Sequence, residues 1–100
     1  MVSVGLLARF PVRPGKEEEF AALLREAVAL VDDEPATTAW FGLRIGPSEF
    51  GIFDAFPDED GRKAHLAGRL AEILMGKGAE LFAGPPSMEE VDVIASKLPA

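Results

Sequence analysis

The sequence predicts an α+β fold in which a four-stranded antiparallel sheet carries its helices on one face, and three observations lead to it. The stretch Trp40 to Phe56, WFGLRIGPSEFGIFDAF, holds two apolar runs broken only by Gly46, Pro47, Ser48 and Glu49, the mark of adjacent antiparallel strands joined by a short turn. Within Lys16 to Val31, the residues Phe20, Leu23, Leu24, Ala27, Val28 and Val31 recur at helical spacing and form one apolar stripe. Large apolar residues occupy both faces of the hairpin, so both faces should be covered.

The chain begins with a strand over Val2 to Phe10, VSVGLLARF, followed by a turn at Pro11 to Gly15. The first helix then starts at Lys16. Glu17, Glu18 and Glu19 fill its first turn, where the helix dipole favours acids, so this triplet reads as a helix start before it reads as a metal cluster. Asp32-Asp33-Glu34-Pro35 ends the helix, because the residue before a proline is pushed out of helical geometry. In the hairpin, Phe41, Leu43 and Ile45 point one way and Trp40, Gly42 and Arg44 the other; Phe50, Ile52, Asp54 and Phe56 alternate with Gly51, Phe53 and Ala55. Pro57 stops the second strand. A second helical region is expected over Asp58 to Leu81, open to division into two pieces because Gly61, Gly68, Gly76 and Gly78 each weaken it. Gly84-Pro85-Pro86 is a loop, and Met88 to Ala95 the last strand. Residues 1–100 thus read as a single domain. Their order, strand, helix, strand, strand, helix, strand, matches a ferredoxin-like βαββαβ sandwich with both helices on one sheet face. The other, apolar face implies a homodimer in which two sheets pair.

Composition removes several function classes. A net charge of −7 opposes contact with a polyanion, so nucleic acid is not an expected partner. No apolar run is long enough to cross a bilayer and no leader pattern is present, so no membrane partner and a cytoplasmic location are expected. Without cysteine there is no thiolate nucleophile or zinc–thiolate site, and one histidine cannot build a multi-histidine metal site in one chain. Asn, Gln and Tyr, common neutral donors to developing anions, are also missing.

Few polar side chains then remain to carry chemistry. His65 is the one side chain whose ordinary pKa lies near neutrality, which makes it the natural general base. The alternative is a partly exposed helix histidine beside Lys63 and Arg69. Trp40, with Phe41, Phe50, Phe53 and Phe56, could wall an aromatic ligand or simply belong to a core or interface. Arg44 and Arg9 lie within apolar strands and need a carboxylate, an anion or solvent; Asp54 is the expected partner of Arg44.

The run Val12-Arg13-Pro14-Gly15-Lys16-Glu17-Glu18-Glu19-Phe20, together with Phe53-Asp54-Ala55-Phe56 leading through Asp58 to His65-Leu66, resembles the antibiotic biosynthesis monooxygenase family of dimeric α/β barrels over nearly the whole chain. The resemblance implies oxygenation of a quinol- or anthrone-type aromatic small molecule by O2 with no metal or flavin cofactor. It implies His65 as the proton acceptor near a pocket between sheet and helices. Read from the residues themselves, Trp40, Phe41, Phe53 and Asp54 are the expected substrate contacts and Arg44 the expected anion-stabilising group. Some relatives degrade haem, for which His65 would be an axial ligand. The family's haem-degrading and anthrone-oxidising members use an active-site asparagine that this chain lacks. A ligand-binding module without turnover is the alternative function.

Overall fold

The computed structural model describes residues 1–99. Its elements follow the predicted order, with the second helical region divided: β1 (Val4–Pro11), α1 (Glu17–Val31), β2 (Ala39–Arg44), β3 (Glu49–Phe56), α2 (Glu59–Leu66), α3 (Arg69–Leu81) and β4 (Ser87–Asp92). The strands form one antiparallel sheet in the order β2-β3-β1-β4, the ferredoxin-like arrangement. Several boundaries differ from expectation by one to three residues, and β1 starts at Val4 instead of Val2. Pro11 still lies in β1, whose end it suits because it has no N–H to give. The last strand ends at Asp92, three residues early, since its partner β1 begins at Val4, opposite Asp92.

Local chemistry explains the helix ends. Gly15 takes a φ of 90°, which the turn into α1 needs and which glycine adopts without strain. The Gly15 N–H donates to Glu17 Oε1 (2.8 Å), and the Ser48 hydroxyl donates to Glu17 Oε2 (2.6 Å). These bonds, Ser48's foremost, hold the Glu17 carboxyl below its ordinary pKa and tie the β2–β3 turn to the start of α1. Asp58 caps α2 by accepting from the Gly61 N–H (3.0 Å). Of the four glycines in the second helical region, only Gly68 breaks it. A Cβ there would meet Glu34 Oε2 at 2.9 Å, so the break and the approach of the α1–β2 connection occur at one point.

The core lies between the sheet and its helices. Phe20 of α1 is fully buried against Phe10, Phe50 and Phe82, with ring centroids 5.3 to 5.7 Å away. Register Trp40↔Asp54, Phe41↔Phe53 and Arg44↔Phe50 confirms the alternation read from the hairpin. Phe50, Ile52, Asp54 and Phe56 are buried on the helix side. The opposite side presents Phe41 and Phe53.

Candidate functional site

Asp54 sits on β3 facing the helices, where its neighbours are apolar, and is only 2% exposed. Two helical turns beyond its cap, α2 brings His65 down onto the same spot. His65 Nε2 lies 2.9 Å from Asp54 Oδ2, and Nδ1 lies 2.6 Å from Glu34 Oε1. Thr37 donates its hydroxyl to that same Glu34 oxygen at 2.8 Å. The ring also rests against Phe56, with centroids 5.4 Å apart. A carboxylate accepts but cannot donate, so a carboxylate at each nitrogen is best met by a ring with a proton on both. Burial opposes that charge, but the hydrogen bonds to Asp54 and Glu34 outweigh it and raise the His65 pKa to about 8.

A neighbouring clamp keeps α2 in place. Arg62, one turn before His65 and buried, donates through Nη1 to the carbonyls of Gly5 (3.1 Å) and Val91 (3.4 Å) and pairs with Glu59 and Glu90. The Glu59 carboxyl is in turn held below its ordinary pKa by this arginine. A buried cation is tolerated here because each face of the guanidinium fork meets an acceptor.

Asp54 and His65 together close the inner end of a cavity of about 380 Å³ between the sheet and α3. Leu6, Ala8, Phe10 and Ile52 form its floor, and Leu70 and Leu74 its roof. Its rim includes Leu66, Met75 and Met88. Asp54 Oδ1 is buried and has no hydrogen-bond partner. A lone charged oxygen in an apolar enclosure is an unmet acceptor.

Of the predicted substrate residues, the structure brings only Asp54 together with His65. Trp40 and Arg44 are on the helix side of β2 but border a separate depression against α1, with Leu24 and Val28. Phe41 and Phe53 are on the far face of the sheet. The expected Arg44–Asp54 pair does not form. Arg44 reaches Glu18 (3.0 Å) and lies 4.5 Å above the Phe50 ring, because it stands opposite Phe50, four residues from the strand position of Asp54. The partly exposed reading of His65 is also set aside, since it is 7% exposed and faces the sheet. Sequence reasoning missed Glu34 and Arg62. Glu34 lies 31 residues from His65 and carries only a helix-ending signal; Arg62 was legible as an i−3 neighbour on the same helical face.

Because the chain has a single histidine, its imidazole gives one resolvable titration by NMR. The expected midpoint is about 8, above the ordinary 6.5. The sign follows: a raised pKa means that the charged ring stabilises the fold fully below pH 6.5, and that this contribution is lost as pH rises through 8. Allowing for solvent screening, it amounts to about 1 kcal/mol. A midpoint at or below 6.5 would show that the two carboxylates do not hold the ring charged.

No family model matches this chain, and no curated protein does. Solved structures do. A Nitrosomonas europaea protein of unknown function is 48% identical, with a TM-score of 0.97 over 100% of this chain and 97% of its own. A Caulobacter crescentus protein provisionally named an antibiotic biosynthesis monooxygenase is 21% identical, with a TM-score of 0.81 over 94% of this chain and 92% of its own. One from Chloroflexus aurantiacus with the same provisional name is 18% identical, with a TM-score of 0.75 over 95% and 96%. At such identities the resemblance to the monooxygenases is one of fold, whereas the first match is close in sequence as well as shape. The chain belongs to one family with the Nitrosomonas europaea protein, and that family has the fold of the antibiotic biosynthesis monooxygenases.

Proposed function

We propose that this chain oxidises a quinol- or anthrone-type aromatic molecule with O2 in the cavity above Asp54. The observation that carries the reading is the buried, unpartnered Oδ1 of Asp54, a residue that lines an apolar enclosure. With a pKa of about 8, His65 is mostly protonated at neutral pH and cannot itself take a proton. The proton acceptor is therefore Asp54, and His65 orients and balances it. Loss of the hydroxyl or enol proton to Oδ1 leaves an electron-rich anion that passes an electron to O2. The two radicals then join through a carbon–oxygen bond, and the peroxide recovers the proton from Asp54. In an anthrone-type substrate, loss of water at that carbon leaves a carbonyl, so one oxygen atom enters the product and the other leaves as water.

Oxygen uptake against naphthoquinols, anthrones and simple hydroquinones, with Asp54→Leu and a protein-free blank alongside, tests this. The variant should lose about 100-fold or more of the protein-dependent rate, the usual worth of a general base. Uptake unchanged in the variant would move the chemistry away from Asp54. One observation favours binding without turnover as a second reading: both His65 nitrogens are engaged, so no free side-chain donor lines the cavity to meet a developing oxyanion. No uptake by the unaltered protein across the panel would favour it. The same engagement weighs against haem ligation, which would cost His65 one of its two carboxylate partners.

The protein also acts as a homodimer through the open sheet face in this reading. Phe41 is 52% exposed there and Ile45 is exposed beside it, a patch that a second copy would cover.

A further inference from the structure

We propose that the cavity selects a neutral, apolar molecule with a single hydrogen-bond donor at its leading end, and turns away carboxylates and other anions. This inference rests on the cavity being the substrate site, as argued above, and narrows what that substrate can be.

The polar content of the enclosure is confined to its inner end. His65 and Asp54 are the titratable side chains that line it, and the rest of the lining is apolar or glycine. Both nitrogens of His65 and Asp54 Oδ2 are already paired. What is left for a ligand is one acceptor, Asp54 Oδ1. A ligand that brings an O–H there satisfies the orphan oxygen; one that brings a carbonyl, ether or carboxylate sets lone pair against lone pair. Charge points the same way. Two carboxylates, Asp54 and Glu34, surround one imidazolium, so this group of three is net negative, and Arg62, one turn before His65, is consumed by Glu59, Glu90 and two backbone carbonyls. A cationic ligand gains little, since His65 already balances Asp54 and the apolar walls would strip the second cation of water.

The other end of the ligand meets a different environment. Met75 is 83% exposed and Met88 55%, and both border the cavity that ends at the nearly sealed Asp54. The polar group therefore travels inward and the apolar body trails toward a rim of flexible thioether side chains, which adapt to varied shapes. Among quinol- and anthrone-type molecules this favours the monohydroxylated class, such as the enol form of an anthrone. A 1,4-hydroquinone would leave its second hydroxyl unmatched between apolar walls, a cost that polar groups do not escape on burial.

Binding, read without oxygen or turnover, tests this by calorimetry with four naphthalene probes: 1-naphthol, 1-methoxynaphthalene, 1-naphthoate and 1-naphthylmethylammonium. The unaltered protein should hold 1-naphthol about 10- to 100-fold more tightly than 1-methoxynaphthalene, the range for one hydrogen bond to a charged group. It should hold 1-naphthoate and the ammonium at least tenfold more weakly than 1-naphthol. Asp54→Asn keeps an oxygen for the His65 Nε2–H and turns an NH2 into the cavity, so the order of 1-naphthol and 1-methoxynaphthalene should reverse. Failure to bind 1-naphthol, equal binding of 1-naphthoate, tighter binding of the ammonium, or an unchanged order in a folded Asp54→Asn protein would each overturn the proposal. The ranking in the unaltered protein decides the matter even where the variant does not fold. Correct ranking with no oxygen uptake on any substrate would retain this selectivity and reject the oxidation.

Discussion

His65→Leu is expected to lower the stability of the fold by about 3–5 kcal/mol at pH 7, the cost of leaving a buried charge without its partner. Asp54 bears that cost, because its Oδ1 already lacks a partner and the variant removes the only one held by Oδ2. Glu34 is less affected, since it reaches solvent and keeps Thr37. Urea denaturation at pH 7 measures the loss, and a double variant separates it from a simple packing defect. The double variant Asp54→Leu with His65→Leu should recover most of the stability at pH 7, because an apolar pair fills the site without a stranded charge. A loss below about 1 kcal/mol, or a double variant no more stable than His65→Leu alone, would mean that the ion pair does not set the energetics of the site.

Phe41→Asp is expected to convert a two-chain assembly into single chains. Phe41 projects from the edge strand β2 on the side away from the helices, opposite Phe53, and belongs to neither the core nor the cavity. A carboxylate there would have to be buried against a second copy, and like charges would meet across a two-fold axis. Light scattering on the eluting protein should give twice the chain mass for the unaltered protein and the chain mass for the variant, with the far-ultraviolet circular dichroism retained. A single-chain mass for the unaltered protein, or an unbroken assembly in the variant, would place the interface elsewhere or remove it.

Much of the architecture was legible because its causes are local. The stripe from Phe20 to Val31, the acidic first turn of α1, the four-residue break in the hairpin and the stop at Pro57 are decided by residues a few positions apart, and all appear in the structure, save that Val28 of the stripe is 46% exposed. The alternation along β2 and β3 was read correctly for the same reason: the period of a strand is fixed by its backbone. Asp54 is marked as the acid inside an apolar strand, and His65 as the one side chain whose ordinary pKa lies near neutrality.

Their relation to each other was not legible. Asp54 was matched with Arg44 because both lay in the hairpin, yet strand register sets Arg44 opposite Phe50 and α2 lowers His65 onto Asp54. Trp40, Phe41 and Phe53 looked like a pocket on grounds of chemistry, and the register dispersed them to other surfaces. Glu34, 31 residues from His65, is its second partner where the α1–β2 connection passes the helix break at Gly68, a position at which a Cβ would meet Glu34 Oε2. By itself, then, the sequence determined the elements, their order and the two residues on which the site rests. The tertiary structure decided that both His65 nitrogens meet carboxylates while Asp54 Oδ1 has no partner, because that depends on which carboxylates reach the ring and how deeply burial seals them, and neither is written in any local pattern.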